Sequence, residues 1–97
     1  EGIRAIMAGK MRARYILVES QAHCDEVAEK AAAGEDFGAL ATQFSIAPNA
    51  ADGGDLGFFG PGDMVEAVEE AVLGLGVGEI SGVIPMGRHF MLIQRLN

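Results

Sequence analysis

Hydrophobic and polar positions along this chain switch between two periods. In MRARYILV, residues 11–18, Ala13, Tyr15 and Leu17 interleave with Arg14, Ile16 and Val18, and both sets end apolar. That pattern predicts a strand whose C-terminal half is buried on both faces. Ser20 then opens a helix in which Cys24, Val27, Ala28 and Ala31 recur at helical spacing until Gly34 stops it. Asp36 can cap a second helix, where Phe37, Leu40, Ala41 and Phe44 make one apolar stripe. Alternation returns in RHFMLIQRL, with His89, Met91 and Ile93 set against Phe90, Leu92 and Gln94.

The stretches between are less regular. Residues 45–54 read as loop with at most one helical turn, and DLGFF as a short strand between glycines. Asp63 with Glu66 resembles a capping box. It opens a helix whose apolar face is Val65, Val68 and Val72, closed by the glycines at 74, 76 and 78. ISGVIP reads as a short strand, joined by the link MGR to the last strand as an antiparallel hairpin. Residues 1–10, with weak helical spacing in Ile3, Ile6 and Met7, read as a lead-in, which leaves 11–97 as one domain. The order strand, helices, short strand, helix, strand, strand predicts an α+β fold with helices packed on a small sheet.

Composition narrows the function classes. Hydrophobic residues make up 49% of the 97, enough for a real core in a small domain. The formal net charge is −7, and Arg4, Lys10, Arg12 and Arg14 are scattered. A nucleic-acid partner, which calls for a clustered basic face, is not expected. The single cysteine, Cys24, excludes an internal disulfide and a cysteine metal framework; on its helix it reads as a small buried apolar residue, and His23 as a surface residue. No apolar run is long enough to insert this domain in a membrane, and no signal peptide is visible. The chain starts at Glu1 without Met, which fits a mature form or a piece of something longer.

Familiar catalytic constellations are missing from the sequence. His23 and His89 have no clustered ligands, so no metal is expected. Ser45 and Ser81 lack the turn signature of a serine nucleophile. Glu69 and Glu70 are adjacent on a helix, point apart, and read as surface charge. GGDLG carries an acid that would repel phosphate, and no Lys-Ser/Thr pair follows it. What remains is GGDLGFFGPGDMVEAV, residues 53–68, where large apolar side chains sit among glycines. Leu56, Phe59, Met64 and Val68 can converge there, as a small satellite core under a loop or as an apolar cup for a ligand. Met64 and Val68 lie one helical turn apart.

That block, with YILVES, GEDFGALATQFS, GVGEISGVI and GRHFMLIQRL, resembles the parvulin family of peptidyl-prolyl cis–trans isomerases (the PpiC-type rotamase domain) over roughly residues 12 to 97. The resemblance implies a four-stranded antiparallel sheet wrapped by about four helices, in the order β-α-α-α-β-α-β-β. It implies that Leu56, Phe59 and Met64 hold a substrate proline ring, with Val68 where the family usually has Phe. His89 matches the second of two facing family histidines. Tyr15 takes the place of the first, and a Tyr15–His89 pair can retain part of their network. Ala47 stands where the family places Cys or Asp near the reacting carbonyl, with Met86 also near that carbonyl. No cofactor or metal is needed for this reaction.

The implied partners are proline-containing or unfolded polypeptides. Glu19, Asp25 and Glu26 stand where phosphate-directed members carry a basic cluster, so an apolar or basic residue before proline is expected instead. Family members occur inside longer extracytoplasmic foldases, which leans the compartment outside the cytoplasm. Two alternatives stay open beside a weakened isomerase: a peptide-holding module with little turnover, and a partner-docking domain whose pocket is closed.

Overall fold

The computed structural model describes residues 11–60 and 62–97; the expected lead-in, 1–10, lies outside them. Strand β1 (Met11–Val18) is followed by helices α1 (Gln21–Ala32) and α2 (Phe37–Phe44), then by one 3-10 turn (Ala50–Asp52). Strand β2 (Asp55–Phe59), helix α3 (Glu66–Leu73) and strands β3 (Ile84–Met86) and β4 (His89–Arg95) complete the order. The strands form one antiparallel sheet, β2-β1-β4-β3. The expected α+β architecture is present, with three α-helices and the 3-10 turn as its helical elements among the described residues. Among the described residues no helix is long and apolar enough to cross a membrane.

Strand alternation sorts side chains into two cores. On one face, Ile16, Val18 and Leu92 pack under Cys24 and Val27 of α1 and Phe37 and Leu40 of α2. On the other, Met11, Ala13, Phe59, Met91 and Ile93 pack under Val68 and Val72 of α3. The two long-loop helices start where local chemistry puts them. Ser20 Oγ accepts the His23 N–H at 3.1 Å, and Asp36 Oδ2 accepts the Ala39 N–H at 2.9 Å. Each satisfies one of the amides a helix N-terminus leaves unpaired. Cys24 is fully buried, and burial, with Asp25 nearby, pushes its thiol up to about 11. His23 is half-buried rather than on the surface, its ring edge-on to Phe44 at 5.5 Å.

Four local expectations change. Helix α3 begins at Glu66, after Val65, and no side chain caps it. The Asp63 carboxylate instead accepts the Gly60 N–H at 2.8 Å and closes the preceding turn. Val65 therefore precedes the helix and is 59% exposed. β3 is shorter than ISGVIP and shifted to Ile84–Met86; ahead of it the Ser81 N–H donates to the Ile93 carbonyl at 2.8 Å, while the Ile93 N–H donates to Ser81 Oγ at 3.0 Å in place of a main-chain acceptor. Before β3, only an isolated bridge at Ile80 continues the pairing. Met86 pairs with His89, so the hairpin loop is Gly87-Arg88, with Gly87 at φ 63° in the first central position that a tight hairpin reserves for glycine. Lastly, β1 is not sealed on both faces at its end. Tyr15 and Leu17 are only half-buried, since the eight-residue α3 covers the Met11–Ala13 end and leaves the rest of that face open.

Candidate active site

The open part of the α3 face is a cavity of about 460 Å³ with mainly apolar walls. β1 supplies Tyr15 and Leu17, and β2 supplies Leu56. Asp63, Met64, Val65 and Val68 come from the α3 lead-in and its first turn. Met86 and His89 flank the hairpin, and Met91 lies behind His89 on the same face of β4.

Leu56 reaches the cavity through a bulge. β2 opposes β1 as Asp55↔Arg14, Phe58↔Arg12 and Phe59↔Met11, so β2 carries one extra residue between the first two pairs. Gly57, at φ 70°, sits in that bulge. In a regular strand Leu56 and Phe59 would face opposite sides; here both join the core on the α3 side. The bulge is braced behind by Asp55, whose carboxylate takes the Gly57 N–H at 2.8 Å and pairs with Arg12. The hydrogen bond from Arg12, more than the Gly57 amide, holds the Asp55 carboxyl below its usual range. The Arg12 guanidinium also lies 5.5 Å from the centre of the Phe58 ring.

The loop after α2 fixes another wall. Ser45 Oγ accepts the Leu17 N–H at 3.1 Å and the Ala47 N–H at 3.3 Å, while the Ile46 N–H donates to the Leu17 carbonyl at 2.8 Å. This loop takes over the edge of β1 where pairing with β2 has ended.

Of the residues singled out from the sequence, Tyr15, Leu56, Met64, Val68, Met86 and His89 are brought together around the cavity. Phe59 is not a wall of it: at 1% exposure it lies in the core beside Met11, at the far end of β1. Ala47 is buried and also does not line it. Its loop holds Leu17, which is a wall of the cavity. Tyr15 and His89 share the cavity but, among the described residues, are not hydrogen-bonded to each other. The register explains this: Tyr15 is opposite Ile93, and the Leu17–Met91 pair lies between Tyr15 and His89 on that face. Burial pushes the Tyr15 phenol up, so it stays a neutral hydroxyl at pH 7. Leu17, Asp63, Val65 and Met91 were not foreseen as walls. Alternation places Leu17 with Tyr15 and Met91 with His89, which is the signal that would have found two of them.

Three comparisons bear on this geometry. Residues 14–96 match the model of the rotamase family, described as the PPIC-type PPIASE domain. Among curated proteins, the foldase protein PrsA of Geobacillus kaustophilus is 44% identical over 86 residues, covering 88% of this chain and 31% of the relative. The foldase protein PrsA of Halalkalibacterium halodurans is 41% identical over 87 residues, covering 87% of this chain and 26% of the relative. The chain thus spans only about a quarter to a third of these relatives' length. Among solved structures, the crystal structure of PrsA from Bacillus subtilis superposes with a TM-score of 0.90 at 33% identity, covering 99% of this chain and 38% of that one. The solution structure of NmPin, the parvulin of Nitrosopumilus maritimus, gives 0.81 at 37% identity, covering 92% of this chain and 97% of that one. The family match spans nearly the whole chain, and the chain is a member of the PPIC-type peptidyl-prolyl cis–trans isomerase family.

Proposed function

We propose that this domain catalyses cis–trans isomerisation of Xaa-Pro bonds in unfolded or flexible polypeptide segments, without direction by phosphate. The observation that carries this reading is the cavity itself, whose lining brings apolar Leu56, Met64 and Val68 together with Tyr15 and His89. The barrier to rotation about a peptide bond is about 18–20 kcal/mol because twisting breaks amide resonance. A catalyst needs only to hold the twisted amide better than either planar form. Leu56, Met64 and Val68 anchor the proline ring while the preceding carbonyl swings. Displacement of water disfavours the more polar planar amide. Tyr15 and His89 supply the hydrogen-bonding groups in this assignment, and Met86 lies on the carbonyl side. Exposed Glu19, Asp25 and Glu26 after β1 repel a phosphoserine and fit apolar or basic residues before proline.

The foldase relatives are several times longer, and we propose that the domain works inside a longer folding factor. The resemblance to foldases that act outside the cytoplasm supports that compartment for it, which cell fractionation tests. A second reading, a peptide-holding module with little turnover, is favoured by the missing Tyr15–His89 hydrogen bond and by the apolar, withdrawn Ala47. Exchange NMR on short Ala-Pro, Leu-Pro and Phe-Pro peptides, with catalytic amounts of the domain, separates the two. Uncatalysed exchange takes tens to hundreds of seconds, so modest acceleration is visible. Acceleration that His89→Ala abolishes while peptide still binds supports the enzyme. Binding shifts at Met64 with no acceleration support the holding module.

A further inference from the structure

The cavity is larger than its assigned occupant. At about 460 Å³ it falls within the 300–1,000 Å³ range of sites that enclose drug-sized ligands, whereas a proline side chain is one small saturated ring. Two features of the lining suit a larger occupant. Val68, the wall given by the first turn of α3, is short and β-branched, and it is held in place by the core at 7% exposure. Met64 and Met86, both half-buried, are unbranched thioethers, which repack around ligands of different shape. Beyond them Val65, 59% exposed, continues the apolar surface out to the rim.

We infer that Val68 sets the selectivity of this cavity so that it also takes a large apolar side chain, leucine, methionine or phenylalanine, from an extended segment that contains no proline. The inference rests on the reading that the proline ring occupies this cavity. Such a segment has no bond to isomerise, so the same site holds it without turnover. Holding is then a property of the active-site cavity and competes with catalysis. Each added methylene buried here strengthens binding by about fourfold, so a leucine or phenylalanine side chain offsets the rigidity advantage of proline.

The test uses the 97-residue chain with methyl-labelled methionine and the peptides acetyl-Ala-Ala-Xaa-Ala-Ala-amide, Xaa being Pro, Leu, Phe or Ala. We expect the Leu and Phe peptides to shift the same Met64 and Met86 methyl signals as the Pro peptide, with Kd within about threefold of it and about tenfold below the Ala peptide. The Leu peptide should also slow Xaa-Pro exchange by competition. Val68→Phe should lower the Phe-to-Pro affinity ratio by about tenfold, because the ring fills the added depth. Val68→Leu should lower it in the same direction and is the milder variant should the phenylalanine disturb folding. The wild-type series decides without either. Leu and Phe peptides that bind no better than the Ala peptide, beside a Pro peptide that binds, overturn the inference and leave the site assignment standing. A Pro peptide that also leaves both methyl signals unmoved overturns the site assignment and the inference with it.

Discussion

Gly54 is closed against the backbone of Tyr15. The Tyr15 N–H donates to the Gly54 carbonyl at 3.0 Å, and a Cβ on Gly54 would collide with the Tyr15 carbonyl oxygen. Gly54 also has φ 75°, a region side chains rarely adopt. The glycine pair before β2 is thus what lets the glycine-rich segment press onto β1 at a cavity residue. Gly54→Ala should cost about 2 kcal/mol or more in urea unfolding, with amide shifts centred on Tyr15.

Ser45 offers a second handle on β1. Its hydroxyl holds the Leu17 and Ala47 amides, one in a wall of the cavity and one in the loop beside it. Ser45→Ala leaves these donors without their partner and should cost about 1–2 kcal/mol by denaturant unfolding. It should also weaken peptide binding through Leu17. Ser45→Thr, which keeps the oxygen, should restore both.

Phe59 and Met64 belong to the same glycine-rich block but should fail differently. Phe59 fills the core, so Phe59→Ala should cost about 3–5 kcal/mol. Met64 is half-exposed in the cavity wall, so Met64→Ala should leave the thermal midpoint nearly unchanged. It should weaken binding of a Pro peptide by about fivefold or more. Calorimetry and peptide titration on the two variants check the contrast.

Acid should loosen the bulge that aims Leu56. The Asp55 carboxyl is held below its ordinary value, chiefly by its hydrogen bond from Arg12. A depressed carboxyl stabilises the fold above its unfolded pKa of about 3.9, and that contribution is lost as pH falls through the lower folded value. Asp55→Asn should therefore lower the melting temperature at pH 7, and its gap to the wild type should narrow as pH falls below the unfolded value of about 3.9. Melting curves across pH 2–7 give the comparison, and a constant gap across that range would count against the Arg12–Asp55 brace.

By itself the sequence determined the element order, the antiparallel α+β class and the start of α1 and α2. These depend on local periodicity and on Ser20 and Asp36, whose caps act within three residues. It also marked Leu56, Phe59, Met64 and Val68 as a group, because one contiguous glycine-rich block carries them, and the family resemblance added His89. Only the tertiary structure decided how these residues meet. Alternation tells which face a side chain takes, but not the register across strands, so it could not show that Leu17 and Met91 lie between Tyr15 and His89. Nor could it show the bulge at Gly57 that turns Leu56 and Phe59 to one side, yet leaves one in the cavity and the other in the core. Asp63 has the chemistry of a helix cap, but the turn at Gly60 claims its carboxylate first, and α3 starts later and shorter. The cavity exists because that short helix stops covering the sheet at Tyr15. How far one element extends over another is fixed by packing between distant segments, and no local pattern encodes it.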